Sequence, residues 1–523
     1  MDLHQITRLY NTLKYLKFTQ VYHQIKHRLV KPKRVATLWD RVFAQVDLFD
    51  FPKKQKSLSI SEGMWSFSFL NLEQAFSQDS LDWSFGDFGV LWTYNLNYFD
   101  WLLQPGMSKE QGLETLSQFY STPAEKNPII LHPYPTSLRI INTAKFISKL
   151  NITEDWLYHE LVADLKFLSG RLEYHLLANH LLENAFALYM GGLITNQDEF
   201  TQKGKKLLLR ELKEQVLNDG MHYERSPMYH LIILERLLDA LNFAKATDDD
   251  LKSTLESYAV RMTGLAMNWE DLDRIPMMQD SAYDIALTVL EVLKYSKSLL
   301  GDDYPSRSSE LKDSGYRRLN IGNFSLFANI GSISPSYQPA HAHSDELSFE
   351  LFHSGTPIIV DTGISTYEKN DTRFKERSSI SHNCVSISSQ NISDVWAGFR
   401  VGRRAIVKSK LSSDFIQATC KANGVLIFRN FKVVSDGLLI EDKIERNEGL
   451  TGQGCLHLHP DVNLEKIDSN RFKASGFTII VSTDDNEVSI EDYTYCRGYN
   501  KRLPSKKLVY SLKNHATVEF KKA

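Results

Sequence analysis

The chain has 523 residues, 42% hydrophobic and 24% charged, with 61 Lys and Arg against 64 Asp and Glu. At about 150 residues per domain, that length allows two to four domains with substantial cores, and the composition is that of an ordinary globular protein. A formal net charge of −3 excludes a global polyanion binder of the nucleic-acid-packaging kind, so any anion binding has to be local. Cys384, Cys420, Cys455 and Cys496 form no CxxC pair, which excludes a disulfide scaffold and argues against a thiolate zinc site. No apolar run reaches the roughly 18–20 residues that span a bilayer.

The first 35 residues carry eight Lys or Arg and one acidic residue, interleaved with Leu, Tyr, Phe and Ile at helical spacing. Two readings fit: a basic amphipathic helix at a membrane surface or partner, or a helix packed on the domain with a solvated basic face. The second is favoured, because most amphipathic helices are partitioned that way. The segment MDLHQITRLYNTLKYLKF lacks the apolar region and small-residue cleavage site of a secretory signal. The expectation is therefore a cytoplasmic chain, with membrane association through residues 1–35 and export by another route left open. Residues 1–90 form this basic helix and a lead-in segment.

From residue 91 to 301 the pattern is helix after helix. KKLLLRELKEQVLNDG, LIILERLLDALNFAKA and IALTVLEVLKYSKSLLG keep a 3.6-residue period, with stop signals at Asn218 to Gly220 and at Gly301. A polar stretch at 302–315 marks a domain boundary. Over 316–523 the period changes to two. LSFELF is followed by the turn HSGTP and then IIVD, and VLIFRNFKVV, Asp436-Gly437 and LLIEDKI read as a hairpin. The expected fold class is multidomain, α then antiparallel β of sandwich type.

Four groups of residues could carry chemistry. The helix LEYHLLANHLLENAFALYMGG is apolar on nearly every side yet contains Asn179, His180, Glu183 and Asn184. Spacings of three and four put His180 with Glu183 and Asn184, and Asn179 with Glu183, on one patch. Such groups form either a structural network between packed helices or a site. The run Gly220-Met-His222-Tyr-Glu224-Arg225-Ser-Pro-Met-Tyr229-His230 follows a helix stop, and Pro227 suits the first turn of the next helix. Tyr229 and His230 there could donate and accept a proton, although aromatic helix starts are more often packing. His341-Ala-His343-Ser-Asp345 precedes a strand, Asp361 ends the next, and His382 follows twenty-one residues later. Two imidazoles and a carboxylate from neighbouring strands suit Zn²⁺; the alternative is a set of hydrogen-bonded surface histidines. Arg139, at an otherwise apolar helix start, needs an anion, either a protein carboxylate or one on a substrate.

ANHLLENA, GMHYERSPMYH, and HAHSDELSFELFHSGTPIIVDTG continuing through RSSISHNCV together resemble the heparinase II/III superfamily of polysaccharide lyases. The resemblance covers roughly residues 90 to 410 by motif and is nearest in look to members encoded in bacterial exopolysaccharide and capsule loci. It implies an incomplete (α/α) toroid followed by an antiparallel β-sandwich. It also implies β-elimination at a uronic acid of an acidic polysaccharide bound between the two. By the same resemblance Asn179 and His180 contact the uronate carboxylate, Tyr229 donates to the leaving oxygen, and His341 serves as base. Glu183 matches an acidic residue near His180, and Arg139 and His230 are expected substrate contacts. His343, Asp361 and His382 match ligands of a structural Zn²⁺. Tyr367, Arg373 and Arg377 fall where positive charge could meet an acidic glycan. The basic N-terminal helix lies outside the motif set, which leaves open a role in glycan assembly at the inner membrane. Two other classes remain: a non-catalytic glycan-binding or assembly factor on a lyase fold, and a metal-dependent glycan hydrolase.

Overall fold

The structure is a computed structural model that describes every residue except 1, 32, 36–41, 62, 309–310, 436, 446–449, 475 and 523. The basic N-terminal segment forms two helices where the sequence suggested one, α1 (Leu3–Leu13) and α2 (Phe18–Leu29). Asp2 starts α1 by accepting a hydrogen bond from the Gln5 amide at 2.7 Å. One face of the pair packs on the protein. Arg8 pairs with Asp394 at 2.8 Å, Trp396 Nε1 donates to Thr12 Oγ1, Lys17 pairs with Glu214, and His23 lies against the Tyr174 ring. The opposite face is a solvent-facing apolar stripe of Leu3, Ile6, Tyr10, Leu13, Phe18, Val21, Tyr22, Ile25 and Leu29. Among the described residues no helix is long and apolar enough to cross a membrane.

The lead-in segment, for which the sequence reading names no element, contains a three-stranded antiparallel sheet of Leu58–Ser61, Met64–Phe69 and Leu72–Ser77. Its middle strand alternates, so Trp65, Phe67 and Phe69 share the buried face. Phe67 meets Trp83 and Trp101, which ties the sheet to the first helices.

Helices then follow one another from Val90–Tyr98 to Val289–Leu300. Ala178–Ile194 and Asp198–Gln215 approach closely because Gly204 has no side chain; a Cβ there would overlap the backbone of Tyr189. Asp198–Gln215 ends before the expected stop at Asn218, and the chain turns at Gly220 (φ +92°), where a Cβ would collide with the Arg261 carbonyl. Residues 309–310 of the boundary stretch lie outside the described residues.

The first strand after the helices is Tyr316–Ile321, and from there sheets predominate, interrupted by the short helix Asp371–Glu376. Four strands from Tyr316 to Ile359 form one antiparallel sheet, and eight strands between Ile406 and Lys522 form another. Val425–Val434 pairs with Gly437–Glu445, with Val434 opposite Gly437. The hairpin is thus present one residue out of the expected register, Gly437 being the first residue of the returning strand; Asp436 lies outside the described residues. Alternating inward residues such as Ile416, Ala418, Ile427, Phe431, Ile440 and Phe520 close the β core.

Candidate active site

A cavity of about 470 Å³ lies where the helical half meets the sheets. Asn179, His180, Glu183, Glu224 and Tyr229 line it from the helices, and His341, Tyr367, Phe399 and Tyr499 from the β half. Its helical residues are set by local chemistry. Ser226 caps the helix Pro227–Ala246 by accepting from the Tyr229 amide at 3.1 Å, with Pro227 in the first turn. Tyr229 therefore sits at a fixed helix start facing the cavity. His230, one residue on, points the other way: it is fully buried, accepts from the His222 amide and lies against the Met262 carbonyl. The structure thus removes His230 from the substrate contacts.

The helix bearing Asn179 starts later than its apolar pattern suggests, at Ala178 (φ 53°), directly after Leu177 (φ 61°). Arg225 (φ 61°), beside Glu224, and Gln279 (φ 58°), beside Asp280, are also left-handed. Non-glycine residues in this region cost about 1–3 kcal/mol each and concentrate at functional sites. Here Ala178, Arg225 and Gln279 directly adjoin Asn179, Glu224 and Asp280, and Leu177 precedes Ala178.

The hydrogen bonds differ from those that helical spacing implied. Asn179 Nδ2 donates to Glu224 at 2.9–3.0 Å and lies 3.4 Å from His341 Nε2. His180 pairs through Nδ1 with Glu173 at 3.1 Å, not with Glu183, and Asn184 donates to the same Glu173. Burial opposes charge on both members of the His180–Glu173 pair. Their mutual attraction wins, raising the His180 pKa above its ordinary value and lowering that of Glu173. Glu183 has neither carboxylate oxygen hydrogen-bonded and lies 3.6 Å from Arg236. Burial raises its pKa, and Arg236 only partly offsets that, leaving it at about 7. Arg139 is fully buried and bonded to Asp164 at 2.7 Å. The protein carboxylate is its anion, so it is no substrate contact.

The orienting residue that sequence reasoning missed is Asp280. It sits in a loop, and no motif or period draws attention to it. Its Oδ2 takes His341 Nδ1 and its Oδ1 takes His343 Nε2, both at 2.8 Å. Arg373 donates to both oxygens at 2.5 and 2.7 Å. Burial would raise the Asp280 pKa, but the Arg373 guanidinium and the histidine bonds hold it well below the usual carboxylate range. An ionised carboxylate only accepts, so His341 directs Nδ1–H at Asp280 and turns Nε2 to the cavity side, where in the neutral imidazole it is the acceptor. Arg373 is thereby spent on Asp280, and Arg377 donates to the Ala342 carbonyl. Neither arginine lines the cavity, although the sequence placed both where positive charge could meet a glycan.

The rings of Tyr229 and His341 lie 4.0 Å apart, and Tyr229 Oη is 3.3 Å from Tyr367 Oη. Burial pushes the Tyr229 pKa well above 10, so its phenol remains protonated and able to donate. Tyr367, which the sequence put with Arg373 and Arg377 in the loop expected near the glycan, is a wall of this cavity.

His343 and His382 are buried behind His341 with ring centroids 5.2 Å apart. His343 Nδ1 and His382 Nε2 have no hydrogen-bond partner, as two donors to zinc would require. Asp361 Oδ2 instead meets His382 Nδ1 at 2.6 Å. Among the described residues no group of three or more His, Cys, Asp or Glu is arranged to hold a metal. The donor types suit zinc, but the trio as placed supplies two free nitrogens and an engaged carboxylate rather than three ready ligands.

Comparison with known proteins extends this picture. The model of the heparinase II/III N-terminus matches residues 136–303, and that of the heparinase II/III-like C-terminal region matches 304–521. A heparin-sulfate lyase of Bacteroides thetaiotaomicron is 26% identical over 295 residues, covering 47% of this chain and 42% of that protein. One from Pedobacter heparinus is 22% identical over 328 residues, covering 58% and 48%. The matches thus span less than half the length of these curated relatives. Among solved structures, heparinase III aligns with a TM-score of 0.65 at 17% identity, over 83% of this chain and 76% of that one. The heparan sulfate lyase HepC from Pedobacter heparinus aligns with a TM-score of 0.56 at 16% identity, over 86% and 80%. These likenesses show the fold, an incomplete (α/α) toroid followed by an antiparallel β-sandwich. On its motifs, its two matched segments and its architecture, the chain belongs to the heparinase II/III superfamily.

Proposed function

We propose that this chain is a polysaccharide lyase that cleaves a uronate-containing polysaccharide by β-elimination. The observation that carries the reading is the pairing of a protonated phenol, Tyr229, with an Asp280-oriented imidazole, His341, across 4.0 Å on one cavity wall. A proton α to a carboxylate becomes removable only when the carboxylate charge is offset and the enolate-like intermediate is stabilised. Asn179 and His180 supply the donors for that carboxylate. His341 Nε2 takes the C5 proton, the C4–O bond breaks as the C4=C5 double bond forms, and Tyr229 protonates the leaving oxygen. A pure glycan binder has no need of this acid and base. A hydrolase metal held by His343, Asp361 and His382 would be buried, and none of these three lines the cavity.

The names of the relatives favour a glycosaminoglycan substrate, and the motif resemblance favours a setting in exopolysaccharide or capsule metabolism. Zinc at His343 and His382 is proposed as a structural pin of the β half, on the strength of the two unpartnered nitrogens. The apolar stripe of α1 and α2, bordered by exposed Lys14, Lys26, Lys31 and Lys33, supports docking on an anionic bilayer surface. Flotation with phosphatidylserine vesicles tests it: removal of residues 1–35 abolishes flotation, and equal flotation without them defeats the idea. The lyase reading is tested by ultraviolet absorbance during incubation with a panel of acidic polysaccharides. A rising signal from an unsaturated uronate end is expected. Cleavage to saturated products would defeat it.

A further inference from the structure

A second cavity, of about 440 Å³, adjoins the first and shares Tyr94, Tyr134, Leu176 and His180 with it. Its outer wall is α2, through Gln24, His27 and Arg28; the toroid supplies His132, Arg171 and His175. α2 lies outside both segments that define the family match, whereas Arg171, Glu173, His175 and His180 lie within the matched segment 136–303, so the chamber joins the two. His180, with 30% of its side chain exposed, stacks on Tyr134 at 4.5 Å and faces both spaces.

Two guanidiniums of the chamber, Arg28 and Arg171, have no carboxylate partner among the described residues. Arg28 is exposed and, among the described residues, enters no ion pair. Arg171 donates to the carbonyls of Val30 and His27 at 2.7 and 2.8 Å, so its charge meets dipoles and no carboxylate. The single acidic residue among the described lining, Glu173, is already shared by His180 and Asn184. His175 Nδ1 is buried without a partner, and the His175 ring lies 4.6 Å from that of His27. Burial first, and then the positive field of Arg171, lowers the His27 pKa to about 4.

We propose that this chamber is a subsite for an anionic sugar, taking a carboxylate- or sulfate-bearing unit of the glycan beyond the one held at Tyr229 and His341. The inference rests on the lyase reading for the direction of the chain, and it gives α2 a role in recognition. A guanidinium meeting a sulfate or carboxylate forms a charge-assisted contact of the stronger kind.

Calorimetric titration with long heparin chains, chemically desulfated heparin and a uronate disaccharide tests it, using full-length wild type, Arg28→Ala, His175→Ala and the control Lys473→Ala, on an exposed strand of the C-terminal sheet. Arg28→Ala weakens long heparin by about tenfold, His175→Ala weakens it less, and Lys473→Ala not at all. The disaccharide, too short to reach the chamber, binds all four alike. A loss confined to sulfated chains names sulfate as the ligand group; a loss on desulfated chains as well names the carboxylate. Equal affinity of wild type, Arg28→Ala and His175→Ala for long chains overturns the subsite, as does an equal loss for the disaccharide. Binding without cleavage by wild type would defeat the lyase reading while leaving these ratios to judge the chamber. No binding of any probe would defeat both.

Discussion

Two histidines two residues apart share one carboxylate and are put to opposite uses. His341 lies on the cavity wall, with Nδ1 on Asp280 and Nε2 toward Asn179 and the open space. His343 takes the other oxygen of Asp280 but is fully buried, next to His382 and away from the cavity. Residue type and even hydrogen-bond partner are the same; what differs is which nitrogen remains free and what it faces. One free nitrogen can exchange a proton with a ligand, while the other can serve only the interior. Asp280, clamped by Arg373, is the hinge of the comparison.

Breaking that hinge should have the largest effect. Asp280→Asn removes the charge that sets the His341 tautomer and leaves Arg373 buried without its anion. Turnover should fall about 10³–10⁴-fold, and stability by about 3–5 kcal/mol. Denaturant unfolding alongside steady-state kinetics checks both, and unchanged turnover in a folded variant would remove His341 as base. Tyr229→Phe sharpens the comparison on the open side alone: turnover should fall about 10³-fold, with glycan affinity and melting temperature retained. His343→Ala does so on the closed side. Zinc content measured by mass spectrometry should drop, and stability should fall by about 1–3 kcal/mol, since Asp280 loses a buried partner; unchanged metal stoichiometry would end the zinc proposal.

The last effect concerns pH dependence and a carboxylate that lines the cavity. Glu183 has a folded pKa near 7 against an ordinary 4.5, because burial disfavours its charge. The folded state binds the proton more tightly than the unfolded state does. Stability therefore falls as pH rises from about 4.5 to about 7 and is flat above. Glu183→Gln should lose that slope, which unfolding curves across this pH range would register; an identical slope would place the ionisation elsewhere.

The α-then-β order was legible because the hydrophobic period changes from 3.6 to two across residues 302–315. Tyr229 and His341 were legible because they sit in compact motifs. Asp280 and Glu224 acquire their roles only through contacts more than forty residues away in sequence, which no local period encodes. Arg139 and His230 misled for the complementary reason: a polar residue on an apolar helix looks the same from the sequence whether it faces a ligand or a buried partner. The sheet at 58–77 was missed although MWSFSF alternates, because that stretch was read only as a connection.

The most direct test of the central claim is product analysis by mass spectrometry after cleavage of an acidic polysaccharide in heavy-oxygen water. β-Elimination predicts an unsaturated non-reducing end and no solvent oxygen at the broken bond. Incorporation of heavy oxygen with a saturated end would show hydrolysis and contradict the roles given to Tyr229 and His341.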